Sequence, residues 1–257
     1  MGKIIAITNQ KGGVGKTTTS VNLAASLAAA QRKVLLIDLD PQGNAAMGCG
    51  VDKEAVDHSS YDLLMGNVPA IQAVINLPEF AFAIIPGNAD LTAAEVELIH
   101  SERKEQRLAD ALLSIRSEYD YILIDCPPSL NMLTLNAMVA AHSLLIPMQC
   151  EYYALEGISA LMATLKNIQQ TVNPDLHLEG ILRTLFDDRN RLTKDVSEQL
   201  IRYFGEQVFM TCIPRNIRLA EAPSHGLPVL SYDKSSRGAQ AYISRAEEMI
   251  KKERNIA

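Results

Sequence analysis

QKGGVGKTT, residues 10–18, is the stretch of the sequence that decides the fold. It follows the apolar run KIIAIT at 3–8 and precedes an Ala- and Leu-rich stretch at 16–30 that is typical of a helix. Glycines let the backbone curl so that successive N–H groups point at phosphate oxygens, and the N-terminus of the next helix adds positive potential. This order predicts a phosphate-binding loop rather than a structural turn. The predicted nucleotide-binding residues of this segment are Lys11, Gly12, Gly13, Val14, Gly15, Lys16, Thr17 and Thr18.

The loop departs from the common GxxxxGK[ST] pattern, because Gln10 stands where that pattern has glycine. Lys16 is expected to supply a cation to the β- and γ-phosphates, and the Thr17 hydroxyl is suited to Mg²⁺. Lys11 is an additional lysine at the mouth of the loop, too far forward to hold the phosphates of its own loop. It is suited to reach a nucleotide across a dimer interface, and the alternative is a solvated surface lysine.

Short apolar runs alternate with helical stretches along the chain. Several of these runs are almost wholly apolar, as strands buried on both faces are. The alternation predicts an α/β fold, a mostly parallel twisted sheet with helices on both faces, in one domain spanning 1–257. The stretch 48–77 is the least periodic and is expected to be a peripheral helical excursion. Strands are predicted at 3–8, 33–38, 81–86, 121–125, 143–148 and 178–185, and helices at 16–30, 107–117, 130–140, 155–170, 193–204 and 238–254.

The composition excludes several classes of protein. The 257 residues are 47% hydrophobic and 21% charged, with a net charge of −6, which argues against general wrapping in nucleic acid but permits a local basic face. No run reaches the roughly 18 apolar residues that a membrane span requires. The N-terminus carries no secretory signal, so we expect a cytoplasmic protein. The four cysteines form no CxxC pair, which argues against a disulfide or a zinc site.

Three further segments resemble motifs of the ParA/MinD family of deviant-Walker P-loop ATPases. LLIDLDPQGN at 35–44 resembles the second nucleotide motif of that family, and YILIDCPPS at 121–129 resembles its Walker B strand. IPRNIRLAEAPSHG at 213–226 is similar to a segment of the ParA/Soj chromosome- and plasmid-partition branch. The resemblance covers nearly the whole chain. It implies an ATPase, weak unless stimulated, that dimerises on ATP, binds DNA non-specifically as the dimer and drives partition with a ParB-like centromere-binding partner.

Three carboxylates follow predicted strands and are the candidates for metal binding and catalysis. Asp125 ends an apolar strand at the sheet edge where α/β proteins bind ligands, so we expect it to hold Mg²⁺ opposite Thr17; the alternative is a helix cap. The side chains of Asp38 and Asp40 point the same way in an extended chain, and spacing alone does not separate their roles. The resemblance assigns Asp38 to the Mg²⁺ shell and Asp40 to orienting the attacking water. The catalytic set that it implies is Lys11, Lys16 and Asp40.

The resemblance also implies a base site and a DNA-binding surface. It places Pro214 and Asn216 beside the base, with Thr184 nearby, although a Pro-Arg-Asn turn can be purely structural. Between positions 183 and 218, seven basic and five acidic residues give a local charge of +2, which on charge alone is typical of a solvated face. DNA binding there would be to phosphates, without reading sequence. The candidate residues that the resemblance implies are Arg189, Arg191 and Arg218.

Three other functions compete with partition. A MinD-like membrane-associated positioning ATPase would need a basic amphipathic C-terminal helix, and the tail at 247–257 is mixed in charge. An iron–sulfur carrier would need cysteines that bridge a dimer, usually as a CxxC pair. A nucleotide-binding scaffold without turnover is separated only by measured hydrolysis. We therefore expect ATP and Mg²⁺ as cofactors, no membrane partner, association with the nucleoid, and no DNA-reading extension before the loop.

Overall fold

A computed structural model describes residues 2–254 of the chain, so Met1 and residues 255–257 of the predicted domain lie outside the described part. One eight-stranded sheet, in the order β3-β4-β2-β5-β1-β6-β7-β8, runs through it. Neighbouring strands are parallel except β3, which is antiparallel to β4. This confirms the predicted mostly parallel sheet. The strands are β1 Lys3–Ile7, β2 Val34–Asp38, β3 Ile75–Leu77, β4 Phe82–Ile85, β5 Tyr121–Asp125, β6 Ser143–Gln149, β7 His177–Phe186 and β8 Val208–Pro214.

Helices cover both faces of the sheet, as predicted. On β1, Ile4 and Ala6 belong to one buried cluster, whereas Ile5 and Ile7 belong to the cluster on the opposite face. This alternation follows from the two-residue period of a strand. No helix within residues 2–254 is long and apolar enough to span a membrane. The α-helices are α1 Lys16–Ala29, α2 Asn44–Gly48, α3 Ser60–Met65, α4 Ala70–Ala73, α5 Leu91–Glu97, α6 Arg107–Leu112, α7 Met132–Ala140, α8 Ala154–Thr171, α9 Arg191–Phe204, α10 Ile217–Glu221, α11 Val229–Tyr232 and α12 Arg237–Arg254.

The structure differs from the sequence prediction at several elements: strands β3 and β8 and helices α5, α10 and α11 were not predicted, and α6 is shorter than expected. β8 was not predicted because it lies at the sheet edge, where an exposed residue such as Met210 and a terminal Pro214 interrupt the apolar run. β3 was not predicted because it has only three residues; it ends the excursion at 48–77, which is otherwise helical in α3 and α4. The helix predicted at 107–117 is α6, which ends at Leu112, and a short 3₁₀ turn follows at Arg116–Glu118.

The sheet register brings three strand ends together. Ile7 at the end of β1 pairs with Asp125 at the end of β5, and Asp125 pairs in turn with Asp38 at the end of β2. The loop at 8–15 leaves β1 at this edge and leads into α1. Because ligands of open α/β sheets bind outside the carboxyl ends of the strands, this edge is where a site is expected.

Candidate nucleotide-binding site

The phosphate loop curls into the N-terminus of α1. Gly13 and Gly15 have φ angles of 73° and 84°, in the left-handed region that glycine adopts without steric cost. α1 begins at Lys16, and no side chain of the described residues caps its first turn. The first N–H groups of this helix are therefore available to an anion, which the helix dipole also favours. The loop has the geometry that phosphate binding requires.

A cavity of about 390 Å³ lies in front of the loop. This volume lies within the range of small-molecule sites, about 300–1,000 Å³. Its lining is divided by chemistry, with the loop and a carboxylate on one side and an apolar wall from the ends of β7 and β8 and from α10 on the other. The polar side includes Gly12, Gly13, Gly15, Lys16, Thr17, Thr18 and Asp40, and the apolar wall includes Leu185, Ile213, Pro214 and Leu219.

The Lys16 side chain is buried beside the loop, with only 7% of its surface exposed. Its Nζ donates a hydrogen bond to the Lys11 carbonyl oxygen at 3.3 Å. Burial lowers the pKa of Lys16, and the negative charge of Asp125 is the strongest influence that raises it. An anion in the cavity would further favour the charged ammonium. Lys16 thus lines the cavity beside the loop, and its contact with phosphates stays a prediction.

Asp125 has one engaged and one unpartnered carboxylate oxygen at the end of β5. Its Oδ1 accepts a hydrogen bond of 2.7 Å from the Ser20 hydroxyl, whereas its Oδ2 is buried without a hydrogen-bond partner among the described residues. Burial raises the pKa of Asp125, and the hydroxyls of Ser20 and Thr17 oppose this shift. A buried polar atom without a partner is costly unless a ligand completes it. The carboxylate oxygen and the Thr17 hydroxyl are oxygen ligands of the kind that Mg²⁺ prefers, so these residues fit the ion.

Asp38 and Asp40, which the spacing left equivalent, have different surroundings in the structure. Asp38 is fully buried; its Oδ1 accepts from the Asp40 N–H at 3.1 Å, and its Oδ2 accepts from the N–H groups of Ala45 and Ala46 at 2.9 and 3.1 Å. Burial raises the pKa of Asp38. Asp40 lines the cavity, and its Oδ1 accepts from the Gln42 N–H at 2.9 Å. Asp38 therefore holds the loop and the first turn of α2, while Asp40 faces the cavity.

Comparisons with known proteins agree with this geometry. A family model described as an AAA domain matches residues 2–178. The sporulation initiation inhibitor protein Soj of Bacillus subtilis is 51% identical over 97% of this chain and 98% of that protein. The chromosome partitioning protein ParA of Myxococcus xanthus is 50% identical over 98% of this chain and 89% of that protein. The chain belongs to the ParA/Soj family of ATPases.

A solved structure with the same fold contains a nucleotide. Cobyrinic acid a,c-diamide synthase from Mycobacterium smegmatis, with bound ADP and magnesium, is 36% identical to this ParA/Soj-family chain and has a TM-score of 0.84. The likeness covers 96% of this chain and 93% of that one. The sheet, the phosphate loop and the helices around them thus belong to a fold that is seen to hold a magnesium nucleotide in a relative.

In this ParA/Soj-family ATPase, Lys11 lies at the mouth of the loop. Its side chain is 50% exposed, and its ammonium contacts the carboxylate of Glu151, which is 45% exposed. Its N–H donates to Asn9 Oδ1 at 3.0 Å, which fixes the backbone just before the glycines. Lys11 is not among the described residues that line the cavity. The Lys11 side chain is thus engaged with Glu151 outside the cavity lining, and its action on a partner's nucleotide stays a prediction.

The three residues predicted near the base, Pro214, Asn216 and Thr184, all line the cavity. The Thr184 hydroxyl donates to the Val14 carbonyl oxygen at 2.7 Å, so it is engaged with the phosphate loop and ties β7 to that loop. Leu185, the next residue, also lines the cavity and has a φ of 49°, a left-handed conformation that is costly for leucine.

The three arginines predicted to bind DNA are exposed at the surface. Each of them contacts a carboxylate of its own chain, so each is partly neutralised where it stands. The ion pair of Arg189 is bidentate, and the hydrogen bonds from Arg189, more than its positive charge, lower the pKa of Asp187 to about 2. The pairs are Arg189 with Asp187 at 2.9 Å, Arg191 with Asp195 at 3.9 Å, and Arg218 with Glu221 at 2.7 Å and Asp233 at 3.3 Å.

Arg183, one of the seven basic residues counted in this region, does not belong to the surface. It is 7% exposed, and its guanidinium donates to Ser197 Oγ at 2.8 Å and to the carbonyl oxygens of Phe209 and Met210 at 2.6 and 3.1 Å. It stabilises the packing of α9 and β8 on β7. Without it, six basic residues face five acidic ones, and the local charge falls from +2 to +1.

Several lining residues were not predicted from the sequence. Gln42 and Asn44 line the cavity and lie inside the motif at 35–44, so that motif was the available signal. Tyr242 also lines it, and its hydroxyl lies 3.1 Å from the Thr19 hydroxyl, which links α12 to α1. No local pattern marks Tyr242, because its place depends on how the last helix packs against the first.

Proposed function

We propose that this ParA/Soj-family ATPase, a single domain over 1–257, dimerises on binding ATP and Mg²⁺ and binds DNA non-specifically as the dimer. A ParB-like centromere-binding partner stimulates hydrolysis, and the cycle drives partition of a chromosome or plasmid in the cytoplasm, on the nucleoid. The observation that carries the proposal is Lys11, a half-exposed cation at the mouth of a phosphate loop whose cavity it does not line. The relative named chromosome partitioning protein ParA, at 50% identity, supports the biological role.

The cavity supports ATP and Mg²⁺ as the cofactors. The N–H groups of residues 12–18 suit the phosphates, Lys16 adds a cation beside them, and the apolar wall with Pro214 and Asn216 suits the base. Thr17 and Asp125 would hold the metal, Asp125 through its unpartnered Oδ2. When bound, Mg²⁺ neutralises charge on the phosphates. The similar M. smegmatis structure with ADP and magnesium supports this cofactor pair.

Asp40 is the residue that we propose orients the attacking water. It lines the cavity, and the bond from the Gln42 N–H to its Oδ1 limits its rotation. Phosphoryl transfer needs chiefly positioning and charge neutralisation, which an oriented carboxylate and Lys16 supply. Asp38 was expected in the metal shell, but three backbone N–H groups engage its two oxygens, so we assign it to holding the Asp40 loop.

Dimerisation gives Lys11 its role. A second subunit packed against the loop would bring its own Lys11 to this nucleotide and neutralise phosphate charge, as an arginine finger does. Gly12 lies beside Lys11, and a methyl group added to it would meet no atom within 4 Å, so this surface is open in the free subunit. ATP-dependent pairing then makes each active site depend on both copies.

DNA binding follows from the exposed arginines. A chain with a net charge of −6 does not attract DNA by its overall charge. Contacts with DNA phosphates must therefore come from local cations such as Arg189, Arg191 and Arg218. Each subunit alone offers few phosphate contacts, whereas a dimer doubles them and gains avidity. ATP thereby controls DNA affinity, and that affinity should fall steeply with salt.

Retention measurements test this function. The Asp40→Ala variant, in ATP or ADP with magnesium, is applied to random-sequence duplex DNA and to vesicles that contain phosphatidylglycerol, at several salt concentrations. We expect retention on DNA with ATP only, and loss of that retention as salt increases. Retention on vesicles alone would support the MinD-like alternative and contradict the proposal. If the wild-type chain did not hydrolyse ATP, with or without DNA, the result would contradict the proposal and support the alternative of a nucleotide-binding scaffold without turnover.

A further inference from the structure

Ser20 lies in the second turn of α1, four residues after Lys16, and is fully buried. Its hydroxyl oxygen lies 2.7 Å from Asp125 Oδ1 and 3.0 Å from the Lys16 carbonyl oxygen. The first contact joins the helix that follows the phosphate loop to the carboxylate at the end of β5. No residue of the proposed catalytic set, Lys11, Lys16 and Asp40, makes this side-chain contact with Asp125.

A hydroxyl has one proton to donate, so its two acceptors compete. Donation to an ionised carboxylate is shorter and stronger than donation to a neutral carbonyl, and the two distances have that order. The bond therefore fixes the rotation of the Asp125 carboxylate. With Oδ1 engaged by Ser20, Oδ2 is the oxygen left without a partner among the described residues.

The alternative orientation of Asp125 would harm the site. Lys16 lies near Asp125, because the Ser20 hydroxyl is within hydrogen-bond distance of both Asp125 Oδ1 and the Lys16 carbonyl oxygen. A carboxylate released from Ser20 is free to turn toward the Lys16 ammonium. In that orientation it would compete with phosphate for the ammonium and no longer offer a fixed oxygen to a metal.

We infer that Ser20 is a positioning residue for the magnesium site, which acts through Asp125 and keeps Oδ2 directed to the ion. The inference rests on the proposed function, because it takes Thr17 and Asp125 as the residues that hold Mg²⁺. Ser20 itself does not touch the ion or the nucleotide. Replacement of Ser20 should therefore reduce the affinity for Mg²⁺ more than the affinity for the nucleotide.

The same helix offers a matched control. Ser26 is also buried, at 4% exposure, and its hydroxyl donates to the Asn22 carbonyl oxygen at 2.7 Å. Both hydroxyls thus lie within hydrogen-bond distance of the carbonyl oxygen four residues earlier, and both leave a similar gap when replaced by alanine. Only Ser20 reaches a carboxylate. A difference between Ser20→Ala and Ser26→Ala therefore isolates the bond to Asp125 from the loss of a buried hydroxyl.

The experiment is a magnesium titration of the binding of a fluorescent ATP analogue, repeated in EDTA, with the thermal midpoint of each variant. We expect Ser20→Ala to raise the half-saturating Mg²⁺ concentration by about 10-fold or more, the range for residues that orient metal ligands. Binding in EDTA should stay within about twofold, a free-energy change below about 0.5 kcal/mol. Ser26→Ala should leave both unchanged. Ser20→Cys keeps the volume with a weaker donor and should also lose magnesium affinity.

A double-mutant cycle with Asp125→Asn decides whether Ser20 acts through Asp125. In that background Ser20→Ala should cause no further loss of magnesium affinity, because the two changes remove the same interaction. An unchanged titration for Ser20→Ala, an equal effect of Ser26→Ala, or additive losses with Asp125→Asn would overturn the inference while leaving the proposed function intact. Nucleotide binding by the wild-type chain that ignores magnesium would overturn both.

Discussion

The ammonium of Lys11 contacts the carboxylate of Glu151 in the same subunit, at the mouth of the phosphate loop. About half of each side chain is exposed. An ion pair of this kind stabilises a protein by about 0–1 kcal/mol, because water and salt screen it. Phosphates of a partner's nucleotide, which carry more charge than one carboxylate, would therefore displace Glu151 at little cost. In the free subunit, Lys11 is thus held at the mouth of the loop by a weak ion pair that the proposed dimer would replace.

Lys11→Ala separates action across the interface from action within one subunit. We expect this variant to bind ATP nearly as well as the wild type, because Lys11 does not line its own cavity, but to lose ATP-dependent dimerisation and hydrolysis. Fluorescent ATP titration and light scattering measure the two properties. Lys16→Ala is the reference, since it should lose ATP binding outright. If Lys11→Ala lost ATP binding to the same extent, the lysine would act in its own subunit.

Asp38→Ala and Asp40→Ala should fail in different ways. Removal of the Asp38 carboxylate leaves the N–H groups of Asp40, Ala45 and Ala46 without their acceptor, and we expect a loss of about 2 kcal/mol in the free energy of unfolding. Asp40→Ala should keep stability and ATP binding but slow hydrolysis by about 100-fold or more. Urea unfolding and phosphate release measure these quantities. Normal turnover by Asp40→Ala would make Asp38 the catalytic candidate.

Arg218→Glu tests the DNA-binding surface. Charge reversal should abolish retention on DNA and leave ATP-dependent dimers intact, because Arg218 lies outside the cavity lining. Arg103→Glu is the matched control, since Arg103 is also an exposed arginine that is paired with a carboxylate, Asp110 at 3.0 Å. Filter binding at low and moderate salt compares the two variants. Equal retention of Arg218→Glu and the wild type would place the basic surface elsewhere.

His142 should make stability depend on pH, independently of nucleotide. Its Nδ1 accepts a hydrogen bond of 2.9 Å from the Ile4 N–H, which requires an unprotonated nitrogen, and burial lowers the pKa of His142 below the usual 6.5. As pH falls below about 6.5, His142 takes up a proton in the unfolded chain before it does so in the folded protein. The free energy of unfolding therefore decreases below that pH and is regained above it. His142→Asn keeps an acceptor without titration and should flatten the dependence. Urea unfolding from pH 7.5 to 5.5 checks this, and parallel curves for both proteins would contradict it.

The parts that could be predicted from the sequence are those encoded locally. The phosphate loop, β1 and α1 are adjacent in the chain. The apolar run that ends in Asp125 predicts a buried strand with a carboxylate at its end. The alternation of apolar runs and helical stretches predicts a parallel sheet, and in such a sheet the loop and Asp125 follow strands that end at the same edge. The helices on both faces followed from strands that are apolar throughout.

The remaining parts depend on tertiary contacts that no local pattern reports. Arg183 counts as a surface charge in the sequence, yet β8 and α9 cover it. Asp38 and Asp40 are equivalent by spacing, and only the turn of the chain into α2 separates them. Tyr242 reaches the cavity because α12 packs against α1. Each of these outcomes is set by a partner that lies far away in the chain.

The most direct test of the central claim is the mass of the Asp40→Ala variant in solution, measured by light scattering with saturating ATP and magnesium and again with ADP. Blocked hydrolysis holds the nucleotide in its triphosphate form. The proposed exchange of Lys11 between subunits predicts twice the 28.1 kDa monomer mass with ATP and the monomer mass with ADP. A monomer in both conditions, with ATP binding shown in the same sample, would contradict it.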